Sequence, residues 1–215
     1  PLGRYNAAGR LIQWGTEEAL YAALQRFTIQ LPSITIDQQE KEELSDRLTQ
    51  CGRAMVQPIL KYLRQKTEIR WPCEILRRLV SEEEYTDHLL QVLQELQGRH
   101  LRDEEHKARL IQVLIKPASA KSQEVVLTFL EDDNDEVVLS AVEFLASEEN
   151  DVLRQRLIHL LIQSDERPRV KAWVAQLFLD RNWSVRPHIS EVEKALPEGF
   201  YLTGKGLIRR KGMVG

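Results

Sequence analysis

Ser81-Glu82-Glu83-Glu84-Tyr85-Thr86-Asp87-His88-Leu89-Leu90-Gln91-Val92-Leu93-Gln94-Glu95-Leu96-Gln97 is the stretch on which the fold is decided. Its apolar residues Tyr85, Leu89, Leu90, Val92, Leu93 and Leu96 recur at spacings of three and four, which on a helix makes one stripe. Ser81 and Glu84 stand at capping-box spacing: the hydroxyl can accept from the N–H three residues on, while the carboxylate reaches back. Gly98 follows where a helix should end, since glycine takes the left-handed conformation cheaply. A helix with one oily stripe is unstable alone and must be covered by another.

The same signature repeats in both directions. Val152, Leu153, Leu157, Ile158, Leu160 and Leu161 form a second stripe, and Leu110, Ile111, Val113, Leu114 and Ile115 are apolar enough for a helix covered on two sides. Start signals are Thr16 before Glu17 and Glu18, Asp37 with Glu40, and Ser190 with Glu193. Gly15 and Gly52 are stops, and Pro72 and Pro168 suit a first turn. Pro58 lies inside an apolar pattern, so it must kink its helix or sit in the opening turns. Helices are expected over 4–14, 16–29, 37–51, 53–66, 72–80, 81–97, 103–116, 121–131, 135–147, 150–163, 168–181 and 189–196. Joined by short loops, they predict an all-α chain: an α-solenoid of five to six antiparallel helix pairs over residues 1–197, each pair covering its neighbour. After Pro197-Glu198-Gly199, the segments Phe200–Thr203 and Leu207–Arg210 around Gly204-Lys205-Gly206 predict a short β-hairpin within a basic tail, 198–215.

Composition excludes several classes. Hydrophobic residues at 42% and charged residues at 29% suit a globular chain rather than a disordered one. No apolar run approaches the roughly 20 residues needed to cross a bilayer, and no membrane partner is expected. Cys51 and Cys73 are the only thiols; both sit in apolar-periodic stretches, read as small core residues, and a reducing cytoplasm fits them best. Pro1-Leu2-Gly3 is read as a cloning scar without structural weight. Net charge is −3, but residues 1–166 carry 20 Lys/Arg against 29 Asp/Glu and residues 167–215 carry 10 against 4. Such polarity can steer a charged partner.

The segment Glu131-Asp132-Asp133-Asn134-Asp135-Glu136-Val137-Val138-Leu139-Ser140-Ala141-Val142-Glu143-Phe144-Leu145-Ala146-Ser147 resembles bacterial HEAT-like repeats (the PBS lyase HEAT-like kind), with an acidic and Asn turn before a Val-x-x-x-Ala-x-x-x-Leu spacing. Glu166-Arg167-Pro168-Arg169-Val170-Lys171-Ala172-Trp173-Val174-Ala175-Gln176-Leu177 looks like the same phase, and 52–60 and 68–76 do so more weakly. The resemblance implies an α-solenoid that binds protein or nucleic acid along one face.

Members of that fold that act as enzymes suggest what to look for. The di-iron hydroxylases use His-Glu dipeptides, but none of His88, His100, His106, His159 and His188 precedes Glu. His100 and His106 with Asp103 and Glu104 could be imagined as metal ligands, yet at a loop and helix start they read as solvated polar residues, and no metal or other cofactor is expected. The bilin lyases of the name leave no discriminating feature here. No phosphate-binding glycine loop or Gly-x-Ser-x-Gly elbow is present, and the acid runs recur at turns. No catalytic site is therefore expected.

The leading expectation is a non-catalytic scaffold or adaptor for another protein. Its inner wall would come from the second helices of each pair, with Arg64, Gln91, Gln94, Arg154 and Arg156 as contact candidates. The alternative, drawn from the HEAT-like alkylpurine DNA glycosylases, is nucleic-acid binding by the C-terminal third. There Arg167, Arg169, Lys171, Arg181, Arg186, Lys205, Arg209, Arg210 and Lys211 are interleaved with Trp173, Phe178, Trp183, Phe200 and Tyr201. Trp183 is read first as a plug for the open end of the array and second as a partner anchor. The terminal hairpin is also a candidate for docking on a partner's sheet edge, and Arg186, Arg209 and Arg210 are further partner-contact candidates.

Overall fold

The computed structural model describes residues 2–98, 105–146, 151–163 and 167–212. Among them are twelve α-helices and one two-stranded antiparallel sheet, so the chain is all-α with a C-terminal hairpin. Its contacts divide it into two compact units, 1–115 and 116–215.

The first unit holds α1 (Leu2–Trp14), α2 (Glu17–Leu24), α3 (Ile34–Thr49), α4 (Val56–Leu63), α5 (Arg70–Leu79), α6 (Glu82–Leu96) and α7 (His106–Gln112). Thr16 caps α2, accepting from the Ala19 N–H at 3.2 Å, and Ser81 with Glu84 makes the full capping box of α6. Pro58 is the third residue of α4, where the first-turn N–H has no intrahelical acceptor and its loss costs little; a 3-10 turn, Gly52–Met55, leads into it. Asp37 and Glu40 do not form the expected box. α3 starts three residues earlier, with Ser33 accepting from the Ile36 N–H at 3.4 Å. Both carboxylates are instead drawn to Arg26, at 2.8 and 2.9 Å, and Asp37 also meets Lys41 at 2.6 Å. Two cations outbid a single orphan N–H for an acid.

Packing within this unit skips alternate helices: α1 meets α3 and α3 meets α5, while α2 meets α4 and α4 meets α6. Two helix layers result, tied to each other where α1 meets α2, α4 meets α5 and α6 meets α5 and α7. Leu24, Leu48, Ile59, Leu63, Ile75, Leu76, Leu89, Val92 and Leu96 are fully buried. Each such side chain contributes about 1.5–3 kcal/mol. Phe27 stacks on Trp71 with ring centroids 5.9 Å apart, joining the end of α2 to the start of α5.

The second unit holds α8 (Ala120–Leu127), α9 (Asp135–Leu145), α10 (Asp151–Gln163), α11 (Pro168–Asp180) and α12 (Ile189–Ala195), then β1 (Phe200–Leu202) and β2 (Ile208–Arg210). Asn134 caps α9 through the N–H groups of Glu136 and Val137, at 2.8 and 3.2 Å, and Pro168 opens α11. The expected Ser190–Glu193 box is replaced. α12 begins at Ile189 with His188 in the cap position, and His188 Nδ1 lies 2.8 Å from Glu191. Again α9 packs on α11 and α10 on α12.

The hairpin has the expected strands, with Phe200 opposite Arg210, Tyr201 opposite Arg209 and Leu202 opposite Ile208. It docks on α11 and α12, burying Phe200 and Ile208. The Val185 N–H bonds the Gly206 carbonyl at 2.9 Å and Ser184 bridges to Leu207, so the linker after α11 closes on the turn. At Gly206, φ is +76° and a Cβ would come within 3.0 Å of both Ser184 and Arg186, so a side chain there would be strained and crowded. Among the described residues, no helix is long and apolar enough to cross a membrane.

Candidate functional site

The first unit contains an open cleft of about 1180 Å³. Residues 65–69, linking α4 to α5, line it together with one face of α5: Arg70, Cys73, Glu74 and Arg77, at positions i, i+3, i+4 and i+7. Phe27 and Thr28 come from the turn after α2, Tyr85 from α6, and Arg109, Gln112, Val113 and Leu114 from the end of α7 and beyond. Polar and apolar side chains both line the wall, which suits a ligand with both characters.

Charges around the cleft are of two kinds. Some are compensated within the unit: Lys41 meets Asp37, Arg109 meets Glu105 at 3.1 Å, and Glu74 accepts from Arg78 at 2.6 Å. Lys66, Arg70 and Arg77 have no carboxylate partner among the described residues. Arg70 lies over the Trp71 ring at 5.1 Å. Arg77 lies over the Tyr85 ring at 5.0 Å and donates to the Val113 carbonyl at 3.4 Å. Against these three cations stands one exposed, uncompensated acid, Glu68.

The buried lining is chemically quiet. Burial pushes the Cys73 thiol up to about 12, and burial also raises the Tyr85 phenol, whose hydroxyl donates to the Val113 carbonyl at 3.3 Å. Both groups therefore stay protonated near neutral pH and act as lining. Cys51, half-buried, is raised as well by burial, partly offset by Arg47.

The residues singled out from the sequence fall elsewhere. Arg64 and Gln91 converge on Glu95: the guanidinium makes two bonds, 2.5 and 2.9 Å, and the Gln91 amide donates at 3.2 Å. Gln94 is exposed beside them. In the second unit Arg154 pairs with Asp151, and Arg156 with Glu131 at 2.9 Å. Trp183 is 4% exposed and meets Phe178 edge-on at 5.6 Å, so its ring is covered within the unit and not offered to a partner. Arg186 donates to the Gly204 carbonyl at 2.8 Å, Arg209 to Asn182 at 2.6 Å, and Arg210 lies over Phe200 at 5.7 Å. The structure thus gathers Trp183, Arg186, Arg209 and Arg210 around the hairpin, and Arg64 with Gln91 on Glu95.

The C-terminal cations are less available than their number suggests. Arg167 pairs with Asp135 at 2.5 Å and Arg169 with Glu136, while Lys171 is buried. Phe178, Trp183 and Phe200 are buried and Trp173 half-buried, leaving Tyr201 as the exposed ring of that set. His106 is buried, its Nε2 2.7 Å from the Leu63 carbonyl. Among the described residues no three His, Cys, Asp or Glu side chains form a group suited to a metal; His100, Asp103 and Glu104 lie outside those residues.

Lys66, Arg70 and Arg77 were missed from the sequence. The signal available was Arg70, Glu74 and Arg77 falling on one side of the α5 sequence; that residues 65–69 and the end of α7 join them is a tertiary fact. Comparisons with family models, with curated proteins and with solved structures found no match to this chain.

Proposed function

We propose that this chain is a non-catalytic, HEAT-like helical-repeat protein that holds a segment of another protein in the cleft of its first unit. The observation carrying this reading is the cleft itself: an open, mixed polar and apolar recess whose cations Lys66, Arg70 and Arg77 have no carboxylate partner among the described residues. A recess of this size exceeds what a single small anion fills and suits several residues of a chain.

The repeat reading is supported by where the ion pairs fall. Arg53–Glu84 and Arg64–Glu95 are 31 residues apart, Asp46–Arg78 and Asp135–Arg167 are 32 apart, and Arg169–Glu136 are 33 apart. A period near 32 is two short helices with tight turns, so each pair ties a helix to its successor in the same layer. Free thiols at Cys51 and Cys73 suit a reducing, cytoplasmic setting. Nucleic-acid binding by residues 167–215 is the weaker reading, because Arg167 and Arg169 are neutralised in place and the aromatic rings are mostly covered.

A photoreactive side chain at Gln112, on the cleft wall, tests the reading against one at Gln155, exposed on α10. The expected result is one protein adduct formed from Gln112, absent from Gln155, and abolished when Thr28→Trp obstructs the cleft. Equal adducts from both positions, or an adduct indifferent to Thr28→Trp, would overturn it.

A further inference from the structure

We infer that the cleft selects an acidic, extended peptide, gripped by Lys66, Arg70 and Arg77 through two acidic side chains about three residues apart. This rests on the proposal that the cleft is a protein-binding site and adds the chemistry of what enters it.

The argument begins with α5. Arg70 and Arg77 are seven residues apart on one helix face, which places their backbones about 10.5 Å apart along the axis. A peptide in the polyproline II conformation advances about 9.3 Å in three residues and returns its side chain to the same side. Acids at i and i+3 therefore meet both guanidinium groups without bending the peptide. Both arginines are held in place by aromatic rings, Trp71 and Tyr85, at 5.1 and 5.0 Å, so little of their freedom remains to be lost on binding. Lys66 adds a third positive charge on the loop leading into α5. Half-buried Val113, with the edges of the buried Phe27, Ile69 and Leu114, supplies apolar lining in the same cleft for the stems of the peptide.

The charge balance separates a peptide from a nucleic acid. Among the described residues, three cations without a carboxylate partner line the cleft with one uncompensated acid, Glu68, an excess of two. Residues 1–115 as a whole carry 16 Lys/Arg against 17 Asp/Glu. A duplex presents a phosphate every ~1.7 Å and would run past the cleft onto a unit that carries no excess of cations overall. Two carboxylates need only the local excess, and beyond a Debye length of about 8–10 Å the remaining charges are screened.

Fluorescence anisotropy tests the inference with short labelled alanine–proline peptides bearing Glu, Gln or Lys at two positions three apart, and with a short single-stranded RNA. The whole chain is compared with Arg70→Gln/Arg77→Gln and with Thr28→Trp, each checked for an unchanged circular dichroism spectrum. Should removal of Arg77 from Tyr85 unfold the chain, Lys66→Gln/Arg70→Gln replaces the double variant. The expected result is binding of the Glu peptide alone, weakened about tenfold by the charge variant and by added salt, and lost in Thr28→Trp. Glu and Gln peptides bound equally, and lost only in Thr28→Trp, would overturn the charge selection while leaving the cleft as a peptide site. RNA held through the same arginines would overturn the peptide assignment. No peptide bound, or binding indifferent to Thr28→Trp, would overturn both the selection and the site.

Discussion

Replacing Trp183 with alanine should lower the melting temperature of the chain. The indole is 4% exposed, its edge contact with Phe178 spans 5.6 Å, and its N–H backbone group bonds the Phe178 carbonyl at 3.0 Å. Truncating a buried Trp costs about 3–5 kcal/mol through lost transfer energy and the cavity left behind. The ring pair accounts for about 0.5–1.5 kcal/mol of that. The next two residues, Ser184 and Val185, are the ones that pair with the hairpin turn, so loosening Trp183 also frees the sheet. For a chain of this size melting as one, each kcal/mol shifts the midpoint by about 2–4 °C, which gives a drop of roughly 6–20 °C. Scanning calorimetry measures it directly, and Trp183→Phe, which keeps a ring against Phe178, should recover most of the loss. A midpoint for Trp183→Ala within about 3 °C of the parent would refute the reasoning, because a core indole cannot be removed so cheaply.

Asp37 supplies a pH prediction. Burial works to raise its carboxyl, but hydrogen bonds and charge from Lys41 and Arg26 outweigh that and hold it below the ordinary 3.8. A lowered folded value means stability that is present above 3.8 and lost as pH falls through the lower folded value. The gap in melting temperature between the parent and Asp37→Asn should therefore close on acidification below about pH 4, whereas a gap constant with pH would contradict the assignment. Thiol labelling should favour Cys51, half-buried, over Cys73, which is buried and pushed up to about 12; mass spectrometry of native chain treated with iodoacetamide reads this, and equal labelling would count against the buried lining. Ser81→Ala removes the acceptor of the Glu84 N–H and half of the capping box, and should cost about 1 kcal/mol in urea unfolding. No measurable change would mean that α6 starts elsewhere.

What could be read from the sequence was what depends on near neighbours. The stripe of Tyr85 to Leu96, the Ser81 cap and the hairpin from Phe200 to Arg210 are set by residues within one or two turns, and they formed where expected. Asp37 and Ser190 show where local spacing misleads. A carboxylate near two cations abandons the cap, and a serine inside a helix leaves the cap to its neighbour two residues before. Arg64 looked like a wall residue available to a partner, because Glu95, which it grips, lies 31 residues away. The cleft was hidden for the same reason on a larger scale: Phe27, Lys66, Arg77 and Val113 meet only once the helix layers stack.

Hydrogen exchange of the chain, alone and with the protein crosslinked from Gln112, tests the central claim. Binding in the cleft should slow exchange in the turn after α2, in 65–70 and in 112–114, and leave α10, α12 and the hairpin unchanged. Protection confined to α10, α12 or the hairpin would contradict it.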